Sequence, residues 1–139
     1  MLGEFLTLKS YYDARGFFKE VIRINEIPEG FAQWSHSYKQ NGYVMDEFHV
    51  HLLQTDYWYV PIGKIEVALM LLENTSIINK AERFFLGGNT KPRVLRILPG
   101  IGHQFRVVDG PVHLFYITTQ IYNPDDEGRI SNKNVEFEW

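Results

Sequence analysis

An all-β barrel or double-sheet sandwich is the fold class that this sequence predicts, and three observations predict it. Short segments rich in aromatic and β-branched residues recur along the chain, separated by Gly, Pro, Asn and Asp clusters at intervals that suit strands. Helix-period patterning is scarce. Aromatic residues make up 15% of the chain, a bias toward pleated surfaces and toward pockets. This rhythm implies about eight to ten strands and almost no helix. The 139 residues fit one domain, 1–139, with no linker, internal repeat or low-complexity tract.

Taken in order, Asp13-Ala14-Arg15-Gly16 reads as a turn, and Phe17 to Asn25 as a first strand ended by Ile27-Pro28-Glu29-Gly30. Phe31 to Tyr38 makes a second strand. Gln40-Asn41-Gly42 turns the chain, and Tyr43 to Leu53 then runs through His49 and His51. Asp56 to Leu72 reads as two strands broken at Pro61-Ile62-Gly63-Lys64, because Pro61 has no N–H to give to a ladder. Ile77 to Glu82 reads as a short helical turn. Arg83 to Leu86 and Arg93 to Leu98 are two more strands. From Arg96 to Pro124 come a Pro99-Gly100 turn, His103, a second turn at Asp109-Gly110-Pro111, and an apolar strand carrying Tyr116 and Tyr122 on one face. The alternation of Val135, Phe137 and Trp139 with Glu136 and Glu138 suggests a final half-buried strand.

Composition narrows function. A net charge of −3 gives no basic field for nucleic acid or an anionic membrane. The absence of cysteine excludes disulfides, thiolate zinc and a cysteine nucleophile. The amino-terminal stretch lacks the pattern of a signal peptide, and the longest apolar run, Val67 to Leu72, is too short to span a bilayer. A cytoplasmic protein that binds a small molecule is the expectation.

His49 and His51 are two apart, so on a strand both imidazoles leave one face, as two nitrogen ligands to one metal would. Asp56 adds a carboxylate and His103 a third imidazole. The layout resembles the first metal motif of the cupin barrels, with Asp in place of Glu, and implies a divalent transition metal as one alternative. Solvated polar residues at a barrel mouth explain His51 and Asp56 as well. His36 and His113 have no motif partner and read as ordinary strand residues.

A second resemblance covers nearly the whole chain. Asp13-Ala14-Arg15-Gly16-Phe17-Phe18-Lys19-Glu20 is similar to the D-x-R-G-x-F-x-E segment of the dTDP-4-dehydrorhamnose 3,5-epimerase family, a cupin-type jelly roll, or double-stranded β-helix. Gln33-Trp34-Ser35-His36-Ser37 followed by Gly42 resembles its Q-x-N-x-S…G segment, with Ser35 where Asn is usual. Pro99-Gly100-Ile101-Gly102-His103-Gln104-Phe105 resembles its P-G-x-x-H-G-F turn, and Tyr116 with Tyr122-Asn123-Pro124-Asp125-Asp126-Glu127 its Y…Y-x-P-x-x-E ending.

The resemblance implies an isomerase of nucleotide sugars, without metal or cofactor, in polysaccharide biosynthesis. His49 occupies the place of the base that takes a proton beside the sugar's ketone, and Tyr116 that of the acid that returns one from the opposite face. Arg15, Glu20, Gln33, His103, Tyr122 and Glu127 fall at substrate-binding positions. The family's D-x-R-G segment reaches into the neighbouring subunit, which implies a homodimer. Three departures stand beside this. Asp46-Glu47 replaces the family's R-G, Asp56 falls at or near its enolate-stabilising lysine, and the sequence stops at Trp139, before the aspartate that orients its histidine. A catalytically inactive sugar-nucleotide-binding barrel is therefore a further alternative. Taken singly, Arg15 reads equally as a turn residue paired with Asp13, Tyr122 as a corner tyrosine, and Tyr116 as core.

Overall fold

The computed structural model describes residues 1–71 and 81–139. Within them run ten strands: β1 (Glu4–Thr7), β2 (Lys9–Asp13), β3 (Gly16–Glu20), β4 (Gln33–Lys39), β5 (Glu47–His51), β6 (Asp56–Leu71), β7 (Glu82–Gly87), β8 (Arg93–Ile97), β9 (Ile101–Thr118) and β10 (Glu127–Ser131). Every pairing among them is antiparallel. The main sheet runs β1-β8-β6-β9-β5-β10, with β4 also paired to β9 and β7 to β6, while β2 and β3 form a separate ribbon.

The two long strands, β6 and β9, pair along most of their lengths and bend together. The break expected at Pro61 to Lys64 is instead a series of register shifts between Tyr59 and Ile65 inside one continuous strand. Pro61 withholds its donor at this irregularity, and Gly63 supplies a positive φ of 83°. A side chain at Gly63 would strike the carbonyl oxygen of Pro111 on β9. Asp109-Gly110-Pro111, expected as a turn, likewise lies within β9. Bulges bend both strands without ending them, and the sheet curls around its core. That core holds Trp58, Ile65, Val67, Leu69, Leu95, Phe105 and Leu114 among others.

Other elements differ from expectation. β1 and β2 lie in the amino-terminal stretch, where the sequence predicts no strand. β3 ends at Glu20, and the rest of the expected first strand gives way to a 3-10 turn at Ile24–Glu26, where the Glu26 carboxylate accepts the Arg23 N–H at 2.8 Å. The carboxy-terminal alternation is not a strand: Asn132–Val135 is a 3-10 turn, and Glu136 is left-handed with φ 53°. Phe137 still packs on Phe48, and the Trp139 indole donates to the Met45 carbonyl at 2.8 Å. The tail's strand is instead the polar β10, which completes the edge of β5. The helical turn expected at Ile77 to Glu82 lies outside the described residues, except that Glu82 begins β7.

Candidate active site

Strand β4 alternates strictly between partly buried and exposed positions. Gln33, Ser35, Ser37 and Lys39 turn inward, and Trp34, His36 and Tyr38 outward. The inward residues Gln33, Ser37 and Lys39 form one wall of a cavity of about 270 Å³. His49 and His51 of β5, Asp56 and Trp58 of β6, and His103 and Tyr116 of β9 form much of the rest. Tyr122 from a loop and Glu127 from β10 also line it. Eight residues singled out in the sequence thus meet in one cavity: Gln33, His49, His51, Asp56, His103, Tyr116, Tyr122 and Glu127. Tyr122 reaches it from beyond the end of β9 rather than from the same strand as Tyr116.

The pairing of β5 with β9 sets His103 directly across from His49. His103 is only 4% exposed. Its ring stacks on His51 at a centroid separation of 5.6 Å and meets Trp58 edge-on at 5.3 Å. Its Nδ1 lies 3.1 Å from the Ile101 carbonyl oxygen, which accepts the ring proton and leaves Nε2 with a lone pair. Burial pushes the His103 imidazole below its ordinary pKa, against the opposing pull of Asp56, so the ring is neutral near pH 7.

Asp56 is 4% exposed, and each of its oxygens accepts a hydrogen bond. Gln54 Nε2 donates to Oδ1 at 2.6 Å and the Trp58 indole to Oδ2 at 3.1 Å. Among the described residues no Lys or Arg forms an ion pair with it. Among the described residues Lys39 is the one Lys or Arg in the cavity wall, and its ammonium sits 5.0 Å from the centre of the Tyr43 ring.

His49 is placed differently. Its Nε2 lies 3.4 Å from Glu47 Oε1 and its Nδ1 3.4 Å from Glu127 Oε1. Arg129 reaches the same two carboxylates at 3.2 and 3.4 Å. The imidazole therefore sits between two carboxylates that share one guanidinium. Glu47, two residues before His49 on β5, thus puts a carboxylate beside the candidate base.

Gln33 ties the Tyr122 loop to the cavity wall: its Oε1 accepts the Tyr122 N–H at 2.9 Å, and its Nε2 donates to Ser35 Oγ at 3.0 Å. Tyr116 pairs in register with Trp58 and is partly buried. Arg15 and Glu20 lie outside the cavity. Arg15 pairs with Asp13 at 2.6 Å on the exposed ribbon, and Glu20 pairs with Arg23 at 2.7 Å. Ser37, Lys39 and Gln54 also line the cavity, although the sequence alone does not mark them as site residues. Counting by twos from Gln33 would have found Ser37 and Lys39, whereas no local pattern marks Gln54.

A family model described as dTDP-4-dehydrorhamnose 3,5-epimerase matches residues 4–139. The spore coat polysaccharide biosynthesis protein SpsL of Bacillus subtilis strain 168 is 36% identical over 140 residues, covering 95% of this chain and 91% of SpsL. The solved dTDP sugar isomerase of Desulfovibrio desulfuricans G20 is similar with a TM-score of 0.83 and 22% identity, over 99% of this chain and 90% of that one. The RmlC epimerase of Legionella pneumophila Philadelphia 1, solved with dTDP-4-keto-L-rhamnose, gives 0.81 and 22% over 99% of this chain and 78% of its own. The curled antiparallel sheet is thus the cupin-type jelly roll that the motifs implied.

Proposed function

Because the chain belongs to the dTDP-4-dehydrorhamnose 3,5-epimerase family, we propose that it is an epimerase or isomerase of a dTDP-linked 4-keto-6-deoxyhexose. The observation that carries this reading is His49, held between Glu47 and Glu127 on the wall of a cavity that Tyr116 also lines. His49 takes a proton from a carbon beside the ketone, and the C–H electrons move onto the carbonyl oxygen as an enolate. The two carboxylates stabilise the imidazolium that results. Tyr116 then gives its phenolic proton to the other face of that carbon, which inverts the centre, and exchange with solvent restores both groups. The proton transfers draw on side chains alone and need no redox cofactor.

The name of the relative SpsL places that protein in polysaccharide biosynthesis. The same destination for this chain's product is part of the proposal, as is a cytoplasmic site of action. Among the described residues no helix is long and apolar enough to cross a membrane.

A homodimer completes the site in this reading. The β2–β3 ribbon stands off the main sheet and exposes Tyr11, Tyr12, Phe17 and Phe18, each at least 59% exposed. Four exposed aromatics on one short ribbon need a cover, and a second copy of the chain supplies one. On a neighbour's cavity, Arg15 would offer its guanidinium fork to the diphosphate, with Glu20 beside it. Solvent deuterium entering the sugar beside its ketone, dependent on His49, tests the proposal.

A further inference from the structure

The cavity holds a second constellation that the proton transfers do not use. One ligand atom each from His51, Asp56 and His103 lies within 4.8 Å of the other two. We infer that these three residues form a binding site for one divalent transition-metal ion. An ion with bonds of about 2.0–2.2 Å holds its ligands roughly 3–4 Å apart, so small side-chain movements close the set.

Four features support the inference beyond proximity. Asp56 is a buried carboxylate with no cation paired to it among the described residues, a costly arrangement that a bound cation would relieve. Its two oxygens are already aimed by Gln54 and Trp58, the kind of outer hydrogen bonding that orients a ligating carboxylate. The bond from His103 Nδ1 to the Ile101 carbonyl leaves Nε2 unprotonated, as a ligating imidazole requires. The His51 ring makes no hydrogen bond among the described residues. Two imidazoles and one carboxylate suit zinc, iron(II), cobalt or manganese better than calcium or magnesium, and three protein ligands leave positions open toward the cavity.

His49 is not part of this set, since its nitrogens face Glu47 and Glu127. The cavity therefore divides its histidines between a proton-transfer residue and a metal pair. The metal site does not depend on the sugar chemistry. Where that chemistry holds, the ion would supply positive charge near an enolate oxygen, a charge that Asp56 itself cannot supply.

The test uses tag-free full-length protein, stripped with a chelator and titrated with cobalt(II) chloride by calorimetry and visible absorption, without any sugar. The expected result is one equivalent per chain with ligand-field bands, and at least about tenfold weaker binding in both Asp56→Asn and His51→Asn. His51 is only partly buried, so His51→Asn reports even if Asp56→Asn fails to fold. His36→Asn removes one member of the exposed His36–His113 pair, whose ring nitrogens lie 2.7 Å apart, and should leave binding unchanged. Less than about a tenth of an equivalent, unaltered affinity in His51→Asn, or loss of binding in His36→Asn alone would overturn the inference. Because no sugar is present, failure here is distinguishable from failure of the epimerase reading.

Discussion

Glu127 holds Oε1 3.4 Å from Nδ1 of His49, opposite Glu47 at the same distance from Nε2. The two carboxylates thus flank both ring nitrogens of the proposed base. Glu127→Gln keeps the shape and removes the charge, so the imidazolium formed on proton abstraction loses support. The expected outcome is a fall in turnover of about ten- to hundredfold with dTDP affinity little changed, read by steady-state kinetics and calorimetry. An equal loss in dTDP affinity would make Glu127 a substrate ligand instead.

The roles proposed for His49 and Tyr116 are separable. Tyr116→Phe leaves His49 able to remove a proton and return a solvent deuteron to the same face. We expect deuterium uptake to persist while the inverted product falls at least about tenfold, measured by NMR of the recovered sugar. Parallel loss of both would show that Tyr116 supports the first proton transfer as well.

Much of this site was legible in the sequence because its signals are local. The two-residue spacing of His49 and His51, the Pro99-Gly100 turn before His103 and the spacing from Tyr116 to Glu127 each lie within one short stretch. The clamp on His49 was not legible, since it depends on β10 pairing with β5 across some eighty positions. The polar composition of β10 also hid it, because its inward and outward faces do not contrast in hydrophobicity. β6 looks like two strands in the sequence for a related reason: Pro61 and Gly63 announce a local interruption, while the pairing that carries the strand through comes from the distant β9.

The ribbon carrying Arg15 gives a prediction about assembly. Sedimentation should show a dimer, and Arg15→Ala should weaken dTDP binding about tenfold or more although Arg15 pairs only with Asp13 within its own chain. A monomer with full dTDP affinity in the variant would remove the role in trans.

Acid stability should report on the cluster of Glu29, Tyr57 and Arg96. Burial works against the Glu29 carboxylate, but hydrogen bonds from Tyr57 at 2.7 Å and from Arg96 hold its pKa below the ordinary value. Burial and the same carboxylate push the Tyr57 phenol up to about 12. A carboxyl with a depressed folded pKa contributes stability above its unfolded pKa of about 4.3 and loses it as pH falls through the folded value. Urea midpoints of the wild type should therefore drop below about pH 4.3, and those of Glu29→Gln should drop less over the same range. Identical slopes would show that Glu29 does not contribute.

The assignment of His49 as the base is tested most directly by incubating wild type and His49→Asn with a dTDP-4-keto-6-deoxyhexose in deuterium oxide and following label at C3 and C5. Uptake by the wild type, reduced about 10²- to 10⁴-fold in His49→Asn, is the expected result. Undiminished uptake in His49→Asn, or none by the wild type with any such sugar, would contradict it.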